Sequence, residues 1–174
     1  IMISLFFNRF FRSINIEPEV FDEVQKDKNA ILSAAVVVII SSTATGIAAA
    51  TIGADKFMLT PIFALINWFV WSYTVYFVGV KLFPEPRTKT TQFALLRAMG
   101  FSLAPGIIRI FSFKGDLLFV TFLGSGLWML ACMVVAVKVT LNYKSLLKAF
   151  GVVILSFFMQ VFIFLSIVGM IIAL

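Results

Sequence analysis

This chain predicts an all-α integral membrane protein: five transmembrane helices preceded by an amphipathic N-terminal helix in the membrane interface. Three observations carry that prediction. Five apolar stretches, at 30–53, 60–82, 91–113, 117–141 and 146–174, each approach or exceed the about 20 residues that cross hydrocarbon. Hydrophobic residues make up 61% of the 174 and charged residues only 13%, far from the soluble average. Of the 14 Lys and Arg, all but Lys56, Arg109 and Lys114 fall on one set of alternate connections. Positive-inside bias then places the amino terminus in the cytoplasm and the carboxyl terminus outside. The same bias accounts for the net charge of +6 without any nucleic-acid partner, because the cations are spread over loop ends and gather on no single face.

Residues 1–16 set Ile3, Phe6, Phe7, Phe10 and Ile14 on one helical arc and Ser4, Asn8, Arg9, Arg12 and Ser13 on the other, with Leu5 intruding on the polar side. An aromatic face backed by arginines suits a helix lying in the interface, with Arg9 and Arg12 at anionic lipid headgroups. The same moment equally suits a helix packed on the end of the bundle. Glu17-Pro18-Glu19 opens a second short helix, since proline fits the first helical position and acids favour the positive end of the dipole. Val20, Phe21 and Val24 form its apolar stripe. Glu19, Asp22 and Glu23 suggest a divalent-cation site, but calcium requires more oxygen ligands and a glycine turn, so a solvated first turn is the better account. Residues 1–29 thus read as a cytoplasmic or interfacial segment, and residues 30–174 as the membrane domain.

Span one is too long, at about 24 residues, for the 7–15-residue apolar core of a cleavable signal, and is read as retained. The chain begins Ile1-Met2, so its natural start lies either at Met2 or upstream. Ser42, Gly46 and Ala50, flanked by Ser41, Thr45 and Ala49, give span one a small-residue face for close helix packing, most simply against another span of the same chain. In span two Trp68 and Trp71 fall where an outer aromatic belt is expected, and Asn67 is expected to bond to a neighbouring helix. Pro84 and Pro86 stop that span and stiffen a basic connection at 83–90, which either docks a partner or only terminates the helix.

Span three carries the most chemistry: Arg97, Gly100, Ser102, Pro105, Gly106 and Arg109 in one hydrophobic run. Two arginines 12 residues apart on a helix lie about 18 Å apart, so each comes within about 6 Å of a boundary of a 30 Å core. Snorkelling of both is preferred over a polar pathway between them. Pro105 frees the carbonyl of Phe101 and kinks the helix, with Ser102 placed to satisfy the backbone. In span four, Gly124-Ser125-Gly126 predicts close backbone approach on the outer half, Cys132 reads as a small packing residue, and Lys138 snorkels inward. Span five presents phenylalanines to lipid and keeps one interhelical amide, Gln160.

Taken in order, Glu17-Pro18-Glu19-Val20-Phe21-Asp22-Glu23-Val24, Lys81-Leu82-Phe83-Pro84-Glu85-Pro86, Gly100-Phe101-Ser102-Leu103-Ala104-Pro105-Gly106, Leu127-Trp128-Met129-Leu130 and Ala136-Val137-Lys138 resemble a prokaryotic-type member of the Yip domain family of Ypt-interacting proteins. The resemblance covers nearly the whole chain and implies five spans, a cytoplasmic amino terminus, a prokaryotic inner membrane as the setting and no enzymatic activity. Eukaryotic members imply binding of prenylated Rab-type GTPases. This chain departs from them in lacking a long amino-terminal region and the Asp-Leu-x-Gly-Pro element ahead of span one, which takes the basis for a Rab-like partner away.

With no histidine and one cysteine, histidine-ligated haem or zinc, nucleophile–histidine pairs and an intramolecular disulfide are all excluded. No enzyme activity and no cofactor are expected. Two readings remain. The first is a non-enzymatic membrane protein that organises or recruits partners, as a homo-oligomer or as an accessory subunit of a larger membrane complex. The alternative is a transporter or channel for a small anion or lipid through the kinked third span, lined by Arg97 and Arg109.

Overall fold

The computed structural model describes residues 2–50, 59–112 and 115–172. Its elements are α1 (Met2–Ile14), α2 (Pro18–Lys26), α3 (Ala30–Ala50), α4 (Thr60–Tyr76, continued by a π-helical segment Phe77–Leu82), α5 (Gln92–Phe101, followed by a 3-10 segment Ala104–Phe111), α6 (Gly115–Thr140) and α7 (Leu146–Ile172). Among the described residues there is no strand. Five helical stretches are long and apolar enough to cross a membrane: Ala30–Ala50, Thr60–Leu82, Gln92–Phe111, Leu117–Thr140 and Leu146–Ser166. The protein is an all-α membrane bundle with an amphipathic helix ahead of it, as predicted. Lys56 and Lys114, two of the three cations read onto the outer side, lie outside the described residues, as does Gly53 at the predicted end of span one.

The bundle has two ends. One, the basic end, carries the start of α3, the 83–90 connection and the α6–α7 turn; the far end carries the start of α4 and the beginning of α6. At the basic end the last turn of α4 widens, with the Phe83 amide bonding to the Val78 carbonyl at 2.9 Å. A wide turn leaves a backbone carbonyl short of a partner. The Tyr143 hydroxyl meets it, lying 2.7 Å from the Gly79 carbonyl and 2.9 Å from that of Phe83. Gly79 leaves room there, because a Cβ would stand 2.5 Å from Leu141 Cδ1 and oblige that buried side chain to shift.

Proline chemistry divides the third span more sharply than a kink. Helix α5 ends at Phe101, Ser102 and Leu103 form a turn, and the chain resumes as a 3-10 segment with Pro105 in its first turn. The Ser102 hydroxyl bonds back to the Met99 carbonyl at 2.7 Å, and the Leu103 carbonyl accepts from Ser41 Oγ on α3 at 2.6 Å. Small residues let that contact form: a Cβ on Gly106 would lie 3.0 Å from Ser41 Cβ. The small-residue face of α3 therefore packs inside the chain, with Ser41, Ser42 and Gly46 all buried.

Residues 2–26 are part of the bundle's own packing. Val20, Phe21 and Val24 of α2 are fully buried in one core with Leu95, Met99 and Phe101 of α5 and with Cys132, Ala136 and Val137 of α6. Trp128 Nε1 donates to the Ile14 carbonyl at 2.8 Å and Cys132 Sγ approaches the Ser13 carbonyl at 3.4 Å, so the end of α1 meets α6 halfway along its length. The arginine face of α1, which the sequence leaves open between headgroups and the end of the bundle, is turned on the acids of α2. Arg9 pairs with Asp27 at 2.7 Å, and Arg12 pairs with Glu17 and Glu23, both at 2.8 Å. Hydrogen bonding from Arg9 holds the Asp27 carboxyl below its usual range. Left outward are Ile3, Phe7 and Phe11, one stripe at four-residue spacing.

Candidate functional site

The two arginines of span three have separate fates, and neither follows the expectation that both snorkel. Arg97 is 7% exposed and points inward to the end of α2, where its Nε donates to the Val24 carbonyl at 3.0 Å and its Nη2 to the Gln25 carbonyl. The last carbonyls of a helix lack intrahelical donors and carry the negative end of its dipole, so a guanidinium there satisfies both needs. Arg97 is a structural clasp between α5 and α2.

Arg109 stays between the spans. Its Nε donates to Ser125 Oγ of α6 at 2.8 Å and its Nη1 to Thr45 Oγ1 of α3 at 3.1 Å, while its carbon head lies 4.7 Å from the Phe122 ring centroid. The guanidinium thus bridges the far halves of α3 and α6. Among the described residues no carboxylate pairs with it, and Nη2 donates to nothing.

Arg109 closes one side of a cleft of about 230 Å³ between α3, α4, α6 and the 3-10 segment. Ser41, Ser42, Thr45 and Asn67 give that cleft a polar strip, while Trp68, Met99, Met129 and Met133 give it an apolar wall. Trp71 lines it too, and its buried indole N–H finds no acceptor among the described residues. A fixed cation, an unused donor and a flexible apolar wall are together complementary in chemistry to a molecule with an anionic head and an apolar body.

Toward the basic end the cleft is stopped. Trp68 is buried instead of standing in an aromatic belt: its Nε1 donates to the Leu96 carbonyl at 2.9 Å, and its ring edge would lie 3.1 Å from a Cβ on Gly100. Gly100 is needed there, because that Cβ would also sit 2.8 Å from Ala34 Cβ. Asn67 does bond across helices as expected, its Oδ1 accepting from Gln160 Nε2 of α7.

Of the residues singled out by sequence, Arg109 lines the cleft, Pro105 lies in the first turn of the segment that carries it, Gly100 leaves room for the Trp68 ring that lines it, and Gly46 packs in α3. Pro84 and Pro86 lie apart, in a connection tied to the α6–α7 turn by Lys148 on Glu85 at 3.3 Å and by the Thr88 hydroxyl on the Leu141 carbonyl at 3.1 Å. The predicted close approach at Gly124 is absent, since a Cβ there meets nothing within 4 Å; it is Ser125 that matters, through Arg109. Glu19, Asp22 and Glu23 do not converge: Asp22 takes Lys26, Glu23 takes Arg12, and Glu19 is exposed. Thr45 and Ser125 read in sequence only as small packing residues, and nothing along the chain marks them as partners of one guanidinium.

Comparison with protein-family models, with curated proteins and with solved structures finds no match for this chain.

Proposed function

We propose that this chain is a non-enzymatic membrane protein that recruits a component of its own membrane, an anionic amphiphile held in the Arg109 cleft. The observation that carries the reading is the guanidinium fixed between the spans by two hydroxyls, with donors to spare above an apolar wall. A cation in that position is costly unless it is paired, so an anionic head is the partner its surroundings favour. The Yip-like resemblance is compatible with this role, as is a cytoplasmic basic end with the cleft toward the outer half.

Passage across the membrane is the less favoured reading. Between the cleft and the basic end, Phe21, Val24, Leu95, Met99 and Phe101 are fully buried and packed together, and Arg97 is committed to α2.

The test is mass spectrometry of the lipids that stay with the full chain in mild detergent, for wild type and Arg109→Gln, with a native gel to record any membrane subunit that migrates with it. Retention of an anionic lipid by wild type, weakened about tenfold or more by Arg109→Gln, supports the proposal; a charged hydrogen-bonded contact of this kind is worth roughly 1.5–3 kcal/mol. Equal retention by both overturns it.

A further inference from the structure

A second concavity, of about 500 Å³, opens at the basic end between α2, the 83–90 connection, the end of α6 and the turn that follows. Arg87, Lys138 and Lys144 line it. Among the described residues none of the three forms an ion pair; the same holds for the exposed Lys28, Lys81 and Lys89, but those line no shared concavity with them. Convergence of cations without counter-ions is unfavourable by Coulomb's law, and an anion between them reverses the sign of that term.

The acids around the notch are already engaged. Asp22 lines it, but its carboxylate accepts from Lys26 at 2.6 Å and from Gln25 at 2.9 Å, and the Lys26 bond holds it below the usual carboxyl range. Glu85, the acid of the same connection, is held by the Lys148 ammonium and the Lys144 amide. The Tyr143 hydroxyl is given to backbone carbonyls, and burial pushes it up to about 12, so it brings no negative charge at neutral pH. Val135, Val139 and Leu146 also line the notch, beside the last turn of a spanning helix. Cations at the helix ends with an apolar wall below them match a phosphate group carried above acyl chains.

We propose that Arg87, Lys138 and Lys144 form a binding site for a phosphate-bearing anion, separate from the Arg109 cleft. The two sources of that chemistry are a lipid headgroup at the membrane surface and a free phosphate in solution. Native mass spectrometry of the full chain, titrated with phosphatidylglycerol and in a separate arm with inorganic phosphate, distinguishes them.

Two triple variants complete the test. Arg87→Gln/Lys138→Gln/Lys144→Gln removes the notch's three cations; Lys28→Gln/Lys81→Gln/Lys89→Gln removes the same number from exposed positions elsewhere. Binding of the lipid by wild type and by the control, and roughly a hundredfold weaker binding by the notch variant, supports a headgroup site, since each cation near the surface is worth about fivefold. Notch-dependent binding of inorganic phosphate without the lipid supports the site and assigns its source to solution. Equal loss in both triples, or no loss in either, overturns the proposal. Arg109→Gln leaves this site intact, so failure here and failure of the cleft reading are told apart.

Discussion

Replacement of Arg97 by methionine is expected to loosen the amino-terminal segment from the bundle. The guanidinium joins two carbonyls at the end of α2 to the buried face of α5. A hydrogen bond from a charged donor contributes roughly 1.5–3 kcal/mol, and each buried carbonyl left without a donor costs about 1–3 kcal/mol. Methionine fills similar volume and removes a buried charge, which returns part of the loss. The net expected destabilisation is about 2–4 kcal/mol. Arg97→Lys keeps the charge but not the fork that reaches both carbonyls, so its cost falls between the two. Reversible unfolding in detergent gives the magnitude, and hydrogen exchange over residues 18–26 gives the location. A loss under about 0.5 kcal/mol, with exchange at Val20, Phe21 and Val24 unchanged, would refute the clasp, because a contact of this kind cannot vanish silently.

Four further outcomes are expected. Gly100→Ala forces a Cβ to within 2.8 Å of Ala34 and 3.1 Å of the Trp68 ring, and should destabilise by about 1–3 kcal/mol in the same unfolding assay. Gly124→Ala, with nothing near its Cβ, should instead be neutral or stabilise by up to about 1 kcal/mol through helix propensity. The folded-state pKa of Asp27 lies below the ordinary 3.8, so its pairing with Arg9 contributes fully above that value and is lost as pH falls through the lower, folded one. The Trp128 indole N–H resonance, which reports contact with Ile14, should shift in that acid window in wild type; in Asp27→Asn it should not depend on pH there. Asn67→Leu and Gln160→Leu should show a coupling of about 0.6–2 kcal/mol in a double-mutant cycle, and additivity would show that the amides do not interact.

Five spans were legible because hydrocarbon thickness imposes a length and a composition that few other structures satisfy, and Pro84, Pro86 and Pro105 announced their breaks for lack of an amide hydrogen. Less legible was everything that depends on which face meets which neighbour. The amphipathic pattern of α1 is the same whether its arginines face lipid or the acids of α2, and sequence periodicity records the face without naming what covers it. Trp68 falls at a depth compatible with either an aromatic belt or a buried indole; only the Leu96 carbonyl opposite it decides. The cleft was invisible for a related reason, because Thr45, Arg109 and Ser125 are brought together from three separate helical segments.

Arg97 and Arg109 show how the bundle gives one residue type two roles on a single span. Both sit in an apolar run and both need acceptors. At Arg97 the neighbour is a helix C-terminus, which supplies two carbonyls in a fixed pair, so the charge is consumed by structure. The break at Pro105 then changes the backbone that follows: a 3-10 segment turns every three residues, not 3.6, so Arg109 is displaced around the axis from the direction a continuous α-helix would give it. It faces hydroxyls of α3 and α6, which can orient a guanidinium but cannot neutralise it. The proline that ends α5 is therefore what separates a clasp at one end of the span from a cation available to a ligand at the other. Pro105→Ala should test this directly: a continuous helix would swing Arg109 away from Thr45 and Ser125, and anionic-lipid retention should fall to the level expected of Arg109→Gln. Retention at the wild-type level in Pro105→Ala, with Arg109→Gln still deficient, would show that the break is not what presents the cation.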